Sequence, residues 1–311
     1  MLKKLRRLIF TGLFVVCWTS AFAQEGENRW AYPPEIDESA QVEVYKKIGD
    51  VELKMWVFNP EEHDVNEKRP AAVFFFGGGW WRGSPKQFEE HAKYLAGRGM
   101  IAMLADYRVA SRHKTRATAC VEDAKSAIRW VRQNAGRLGV DTKRVAAVGE
   151  SAGGHIAASA ALISDYDAES EDKTISSVPD AMVLFNAPCV LSSIEGVFPA
   201  PENLLQRLER AMGTDPANVS PYHFIKSDAP PTIIFHGTAD SRVPFMTIKL
   251  FADKMKEAGN RCELVAYEDM PHAFALYGRN DNKPYAETLY KTDEFFTSLG
   301  YLEGRPTIKV D

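Results

Sequence analysis

The sequence predicts an α/β protein built on a mostly parallel sheet that is covered by helices on both sides. A β-hairpin pattern comes first, because Gln41–Ile48 and Val51–Phe58 each alternate apolar and polar residues around Gly49-Asp50. Short runs that are apolar on both faces follow, as expected of buried parallel strands. These runs are Ala71–Phe76, Ile101–Ala105, Val145–Val148, Ala181–Phe185 and Thr232–Phe235, and a further strand is predicted at Cys262–Tyr267.

Helical patterns lie between these runs, and this alternation is what predicts the parallel sheet. The segments with helical patterns are Ala117–Leu138, Ser151–Leu162, Val243–Ala258 and Tyr285–Leu299. The segment 189–231 breaks the alternation, because it holds several prolines and one helical stretch, Glu202–Met212. We interpret it as a short cap-like insertion over the carboxyl edge of the sheet.

The first 23 residues have the pattern of a secretory signal peptide. Four basic residues near the start precede an apolar run that ends in Ala21-Phe22-Ala23, which predicts cleavage before Gln24. The alternative is a membrane anchor, but the apolar run is short for a membrane span. We therefore expect a secreted or periplasmic protein with no membrane segment after cleavage. The predicted divisions are an N-terminal arm at 24–39, one domain at 40–302 and a tail at 303–311.

Charge and cysteine content exclude some classes of protein. The net charge is −4, and removal of the four basic residues with the signal peptide makes it −8. An acidic chain without a basic stripe argues against a nucleic-acid partner. Three cysteines remain, at positions 120, 189 and 262. This odd number favours three buried thiols over a disulfide framework.

The stretch Gly149-Glu150-Ser151-Ala152-Gly153 lies between a buried strand and an alanine-rich helix. A G-x-S-x-G sequence alone is a weak signal, but this placement makes it typical of a nucleophile elbow. Small neighbours allow the strained turn, and the helix start favours negative charge that develops near the serine. We therefore predict that Ser151 is a nucleophile.

A serine hydroxyl needs a base, and the base needs an acid to orient it. Asp240 follows the run Thr232–Phe235, and His272 follows the run Cys262–Tyr267, so order and placement both fit. Asp240 is also suited to cap the next helix. Other candidates are weaker: Glu268 and Asp269 as the acid, His236 as the base, and His155, which fits a packed core position.

Three glycines, Gly77 to Gly79, follow the third predicted strand. An acyl-transfer site needs unobstructed backbone N–H groups to stabilise an oxyanion. We predict that Gly78 and Gly79 supply such groups together with Ala152. Trp80 and Trp81 come next, and we consider them either as substrate-binding aromatic surfaces or as packing residues that hold the loop.

With these motifs in place, the sequence resembles the α/β-hydrolase superfamily over nearly all of the predicted mature chain. It is most similar to secreted bacterial esterases of the hormone-sensitive-lipase-like and acetyl-xylan or feruloyl esterase-like groups. The motifs shared with them are Phe76-Gly77-Gly78-Gly79-Trp80, Asp106-Tyr107-Arg108, Gly149 to Gly154, His236 to Asp240 with Val243-Pro244, and Pro271-His272.

The resemblance implies an α/β-hydrolase fold with Ser151 as nucleophile, Asp240 as acid and His272 as base. One position departs from the pattern, because these relatives usually carry histidine where Phe76 stands. That histidine braces the loop in them, so its replacement bears on loop geometry and not on the triad. The motif Asp106-Tyr107-Arg108 is interpreted as structural.

The function that we expect is hydrolysis of a carboxylic ester through an acyl-enzyme, with acetyl or feruloyl groups on a carbohydrate as the preferred substrate. The partner would be a small-molecule or oligosaccharide ester, and no cofactor or metal is implied. One alternative is a serine peptidase or amidase of the same fold. Another is a catalytically silent protein that only binds a partner, against which the complete triad argues.

Overall fold

The computed structural model describes residues 31–310 and contains one eight-stranded sheet. The strands lie in the order β1-β2-β4-β3-β5-β6-β7-β8. The first two form an antiparallel hairpin, β2 pairs antiparallel with β4, and all remaining pairs are parallel. Their bounds are β1 (Gln41–Ile48), β2 (Val51–Phe58), β3 (Arg69–Phe75), β4 (Ile101–Ala105), β5 (Val140–Glu150), β6 (Ala181–Phe185), β7 (Thr232–Gly237) and β8 (Cys262–Tyr267).

Eight α-helices are present among the described residues. They are α1 (Glu89–Gly97), α2 (Ala110–His113), α3 (Ala117–Gln133), α4 (Ala135–Leu138), α5 (Ala152–Leu162), α6 (Glu202–Met212), α7 (Phe245–Glu257) and α8 (Lys283–Ser298). Five 3₁₀ helices occur as well, at Val65–Glu67, Pro85–Phe88, Pro216–Val219, Pro221–Phe224 and Asn280–Asn282.

The sheet has a hydrophobic core on each face. Along β3, Val73 and Phe75 join the core under α3, α5 and α7, whereas Ala72 and Phe74 join the core under α1 and α8. Strands that bury both faces cannot alternate with polar residues, which explains the continuous apolar runs in the sequence. The predicted α/β-hydrolase fold class is confirmed.

The structure corrects several predicted boundaries. The helix predicted at Ala117–Leu138 is broken at Asn134 into α3 and α4. Strand β5 is longer than the predicted run Val145–Val148, because its amino end carries polar residues that masked the pattern. The sequence analysis did not predict α1, because its buried face includes Glu89 and His91, or α2, because it is a single turn.

The segments outside the predicted helices and strands also have defined positions. The described part of the arm lies against α1, where the Asp37 amide donates to Glu89 Oε1 at 2.6 Å. The insertion 189–231 carries α6 and two of the 3₁₀ helices, and residues 303–310 contain no helix or strand. The predicted signal peptide lies outside the described residues. Within residues 31–310, none of the helices combines the length and apolar character that a membrane crossing requires.

The three cysteines of the described chain are free and buried, as predicted. Burial raises the pKa of all three thiols, those of Cys120, Cys189 and Cys262. A thiol held protonated in an apolar environment is a poor nucleophile, so these side chains act as packing residues.

Candidate active site

Ser151 stands at the sharp turn between β5 and α5. Its backbone has φ 51° and ψ −119°, a strained conformation for a residue with a side chain. The turn is crowded, since a Cβ on Gly153 would lie 1.9 Å from the carbonyl oxygen of Phe75. The Ser151 amide donates to the Phe185 carbonyl at 2.8 Å, which ties the turn to β6. The surroundings therefore enforce the strained position of Ser151.

The structure brings Ser151, His272 and Asp240 together in one hydrogen-bonded chain. His272 Nε2 lies 3.0 Å from Ser151 Oγ, and His272 Nδ1 lies 2.7 Å from Asp240 Oδ2. The three residues follow β5, β7 and β8, and His272 is 121 positions from Ser151 and 32 from Asp240 along the chain. This is the geometry of a nucleophile, a base and an orienting acid.

Asp240 is buried and surrounded by donors. The amides of Arg242 and Val243 each donate to its Oδ1 at 2.9 Å, and Asn186 Nδ2 donates to its Oδ2 at 2.8 Å. Burial opposes ionisation, but the bond from His272, its charge and the two amides together hold the pKa of Asp240 below its usual value. Asp240 is therefore suited to remain a carboxylate while it orients His272.

Asn186 is a site residue that the sequence analysis did not identify. It is fully buried just beyond β6, in a left-handed conformation with φ 46°, and it contacts Asp240 across 54 positions of sequence. The available signal was an asparagine directly after a buried strand, at the same sheet edge as the triad. Asparagine tolerates positive φ, which explains this residue type here.

The competing candidates occupy other positions. His236 is buried and bonds the Val243 carbonyl through Nε2 at 2.8 Å, so it supports the loop that carries Asp240. His155 is buried in α5, and Asp269 uses its amide to bond Thr238 Oγ1. No hydrogen bond among the described residues joins Glu268 to His272.

The glycine loop after β3 lies against the elbow. Gly78 and Gly79 have φ of 133° and 65°, and the Gly78 carbonyl accepts from the amides of Trp81 and Arg82 at 3.2 Å each. The contact between Gly153 and the carbonyl of Phe75 brings the start of this loop beside the amino end of α5. The assignment of the Gly78, Gly79 and Ala152 amides to an oxyanion hole stays a prediction.

The two tryptophans of the loop have different environments. Trp80 is half-buried, its indole N–H donates to His155 Nδ1 at 3.2 Å, and its ring meets the imidazole edge-on. His155 Nε2 in turn bonds the Val219 carbonyl at 2.7 Å, which connects the loop to the insertion. The side chain of Trp81 is 60% exposed beside the loop. Trp80 therefore holds the loop, and Trp81 presents an aromatic surface to solvent.

Phe76 packs where the related esterases usually carry histidine. Its ring stacks on Tyr107 at a centroid distance of 4.1 Å, and the Tyr107 hydroxyl donates to the Phe76 carbonyl at 2.7 Å. Asp106 is buried beside Arg112, whose Nη2 lies 2.6 Å from its Oδ1, and Arg112 also bonds the Gly83 carbonyl at 2.6 Å. Residues after β4 therefore brace both ends of the glycine loop.

The donors of the site can support acyl transfer by a serine nucleophile, for which a triad and backbone amides suffice. Within residues 31–310, no cluster of three or more His, Cys, Asp or Glu side chains is arranged to hold a metal ion. The chemistry that this geometry can perform is attack of Ser151 on a carbonyl carbon, with His272 moving the proton.

Comparison with solved structures shows a similar fold in a thermophilic esterase. The apo form of Thermogutta terrifontis esterase 2 superposes with a TM-score of 0.84 and 52% sequence identity, over 88% of this chain and all of that one. Structures of the same esterase with propionate and butyrate bound, and phosphorylated by paraoxon, superpose with TM-scores from 0.82 to 0.84.

Two curated relatives are more distant in sequence. The esterase LipC of Mycobacterium tuberculosis is 30% identical over 230 residues, which are 67% of this chain and 53% of LipC. A probable isoprenylcysteine alpha-carbonyl methylesterase of rice, Oryza sativa subsp. japonica, is 29% identical over 229 residues, with the same shares. The chain thus spans about half the length of these curated relatives.

These relatives confirm the resemblance to esterases of the α/β-hydrolase superfamily. The family model described as BD-FAE matches residues 55–255, from β2 through most of α7. This span contains the elbow, the glycine loop and Asp240, and it is more than half of the chain. The chain therefore belongs to the BD-FAE family.

Proposed function

We propose that the protein is a serine-dependent carboxylic ester hydrolase that acts through an acyl-enzyme. The observation that carries this proposal is the hydrogen-bonded chain from Ser151 Oγ through His272 to Asp240 at the elbow. A serine hydroxyl becomes nucleophilic when a neighbouring imidazole accepts its proton, and a carboxylate stabilises the imidazolium that forms.

In the first half of the reaction, Ser151 attacks the ester carbonyl while His272 Nε2 takes the hydroxyl proton. The resulting oxyanion is stabilised by the backbone amides proposed for this role, those of Gly78, Gly79 and Ala152. His272 then gives the proton to the departing alcohol. In the second half, water attacks the acyl carbonyl while His272 takes a proton from it. His272 then gives this proton to Ser151 Oγ as the acid is released.

For the acyl part of the substrate, we propose a short chain from acetyl to butyryl. Propionate and butyrate occupy the esterase that shares 51 to 52% identity with this chain over nearly nine-tenths of it. The insertion after β6 is short and contains a single α-helix, α6. Feruloyl esters are the second candidate, because the motifs of the sequence also resemble those of feruloyl esterase-like enzymes.

For the alcohol part, we propose a carbohydrate, so that the natural substrate is an acylated sugar or oligosaccharide. The exposed ring of Trp81 supports this, since sugars stack on aromatic faces and the ring lies beside the oxyanion loop. Residues 1–23 support export, so we propose that the enzyme meets this substrate outside the cytoplasm, as a secreted or periplasmic protein.

The decisive experiment measures hydrolysis of p-nitrophenyl acetate by the wild type and by Ser151→Ala. We expect kcat to fall by at least about 10⁴-fold because the nucleophile is lost. Ser227→Ala, which changes an exposed serine, is the matched control and should retain full activity. Retained turnover in Ser151→Ala, in protein with an unchanged circular dichroism spectrum, would refute the mechanism.

A substrate panel then separates the finer proposals. It contains p-nitrophenyl esters from acetate to octanoate, acetylated xylan, methyl ferulate and aminoacyl amides. Preference for short acyl groups with release of acetate from xylan supports the carbohydrate esterase. Cleavage of the amides alone would indicate the peptidase or amidase alternative, and no cleavage of any compound would indicate a silent binding protein.

A further inference from the structure

The glycine loop is attached to the nucleophile strand by a chain of two hydrogen bonds. The Gly77 amide donates to Gln87 Oε1 at 2.6 Å, and Gln87 Nε2 donates to Glu150 Oε2 at 3.0 Å. Gln87 belongs to the 3₁₀ helix Pro85–Phe88, and Glu150 is the last residue of β5, directly before Ser151. Both side chains are buried, so the two bonds are shielded from water.

The direction of this chain is fixed by chemistry. A backbone amide can only donate, so the oxygen of the Gln87 side chain must face Gly77. Its nitrogen then faces Glu150, and an ionised carboxylate can only accept. A carboxamide supplies the acceptor for Gly77 and the donor for Glu150 without carrying a charge.

The glycine loop lies directly on the carboxylate of Glu150. A Cβ on Gly77 would be 1.7 Å from Glu150 Oε2, so no side chain fits there. Because of this close approach, the position of the carboxylate limits where the beginning of the loop can lie. The amides proposed to stabilise the oxyanion follow one and two residues later, and such groups act only when they are held in place beforehand.

The second oxygen of Glu150 faces the base. Glu150 Oε1 lies 3.5 Å from His272 Nε2, the nitrogen that also contacts Ser151 Oγ. This nitrogen carries the transferred proton during attack, and a buried carboxylate nearby stabilises the positive charge that forms. One carboxylate thus lies close to both the glycine loop and the base.

We propose that Glu150 and Gln87 are positioning residues for the reaction: they hold the glycine loop in register with Ser151 and favour the imidazolium of His272. This inference rests on the proposed esterase function. The charged and titratable groups that face His272 are Asp240 and His236 from the β7 side, Glu150 from β5, and Arg279, which bonds the His272 carbonyl at 3.4 Å.

The first experiment reverses the chain of hydrogen bonds. Gln87→Glu leaves an acceptor for Gly77 but places two carboxylates against each other, so we expect kcat to fall about 100-fold with KM changed less than about threefold. Adding Glu150→Gln to this variant restores a donor between positions 150 and 87 while the acceptor for Gly77 remains. We expect this double variant to recover kcat to within about tenfold of the wild type.

Gln87→Met tests the hydrogen bonds without the charge. It fills a similar volume but has no strong donor or acceptor, so kcat should fall about 10-fold to 100-fold at unchanged KM. The charge added by Gln87→Glu has its own control in Gln133→Glu. This variant adds a carboxylate at an exposed position at the end of α3 and should behave as the wild type. If Gln87 only stabilised the fold, its variants would yield less folded protein, and adding Glu150→Gln to Gln87→Glu would not restore kcat.

The pH profile tests the contact with His272. Removal of the Glu150 charge makes the imidazolium less stable, so Glu150→Gln should move the acidic limb of kcat/KM to lower pH by about 0.5 unit or more. The double variant should show the same displacement, because its charge has moved away from His272. Gln87→Met should leave the limb in place.

The outcomes separate this inference from the proposed function. If the wild type hydrolyses p-nitrophenyl acetate and Ser151→Ala does not, the function stands. The inference is then overturned if folded Gln87→Met keeps wild-type kcat, or if the double variant is no more active than Gln87→Glu. An inactive wild type contradicts the function itself.

Discussion

Phe76 stands where related esterases usually carry histidine, yet the backbone at this position is still held by a hydrogen bond. Related esterases usually brace this loop with histidine, and here the Tyr107 hydroxyl reaches the Phe76 carbonyl and holds the same stretch of backbone. The phenyl ring is 1% exposed and stacks on the Tyr107 ring, so the position has become part of the core. The change therefore transfers the brace from the loop to β4 and its following residues.

We expect Phe76→His to destabilise the fold without raising activity. Burying an imidazole among apolar groups leaves polar atoms unsatisfied, which should lower the free energy of unfolding by about 1 to 3 kcal/mol. Urea denaturation measures this loss, and p-nitrophenyl acetate hydrolysis measures kcat. Phe76→Leu controls for loss of the stacked ring alone. A variant that is as stable as the wild type and more active would show that the position still needs histidine.

At the scale of single residues, the sequence predicts the residues that belong to a recognisable motif. Ser151, Asp240 and His272 were predictable because a short elbow pattern and two strand ends define them locally. Asn186 and Gln87 were not predictable, because each acquires its role from a contact across many positions: Asn186 with Asp240, and Gln87 with Glu150, 63 residues away. Such contacts follow from the order of strands in the sheet.

Among the elements, the glycine loop is followed by two tryptophans, of which Trp80 connects it to the insertion. Trp80 is held by His155, and His155 bonds the insertion through the Val219 carbonyl. Burial lowers the pKa of His155 to about 4, so it is neutral, with Nε2 donating to Val219 and Nδ1 accepting from Trp80. Trp81 lies outside this chain of contacts.

We expect Trp80→Phe and Trp81→Ala to separate stability from substrate binding. Trp80→Phe keeps a ring but leaves His155 Nδ1 without its donor, so the free energy of unfolding should fall by about 1 to 3 kcal/mol. Trp81→Ala removes an exposed side chain, so stability should change by less than about 0.5 kcal/mol. Its effect should be a higher KM on acetylated xylan but not on p-nitrophenyl acetate. Equal KM changes on both esters would argue against a sugar surface at Trp81.

The elements themselves were predictable to different degrees. Strands β3 to β7 were found because burial on both faces leaves a continuous apolar run. Helix α1 was not found, since its buried face includes Glu89 and His91 and so lacks a clear apolar stripe. The break between α3 and α4 at Asn134 left the apolar spacing intact, so periodicity could not show it.

For the molecule as a whole, buried histidines link stability to pH. His91 is enclosed by Phe88, Phe185 and Tyr285, and neither ring nitrogen has a hydrogen-bond partner among residues 31–310. Burial lowers its pKa to about 3, and that of His155 to about 4. Both rings stay neutral in the folded state, whereas the same two histidines take up protons in the unfolded chain. The free energy of unfolding therefore decreases as the pH falls below about 6.5.

Asp106 acts in the opposite direction. Burial raises its pKa to about 6, against the effect of Arg112, so between its unfolded value and pH 6 the folded form holds a proton that the unfolded chain has lost. From these three groups, the free energy of unfolding should fall by about 1.4 kcal/mol per pH unit between pH 6 and pH 4.

We expect His91→Leu to flatten this dependence. The variant removes one proton that the unfolded chain takes up, so the slope from the three groups should approach zero over the same interval. Urea denaturation at pH 7, 6, 5 and 4 measures it, and the wild type at each pH is the reference. Parallel curves for the two proteins would show that His91 is not held neutral in the fold.

The placement of the triad on the sheet has a consequence for inactivation by heat. Ser151 follows the central strand β5, whereas His272 follows β8, which in the described sheet pairs with β7 alone. Edge elements open locally at a lower free energy than the centre of a fold. An open edge disables the base while the nucleophile remains in an intact core. Thermal half-lives of activity in this protein therefore report on the mobility of one edge, and engineering for durability should begin at β8 and α8 before the core.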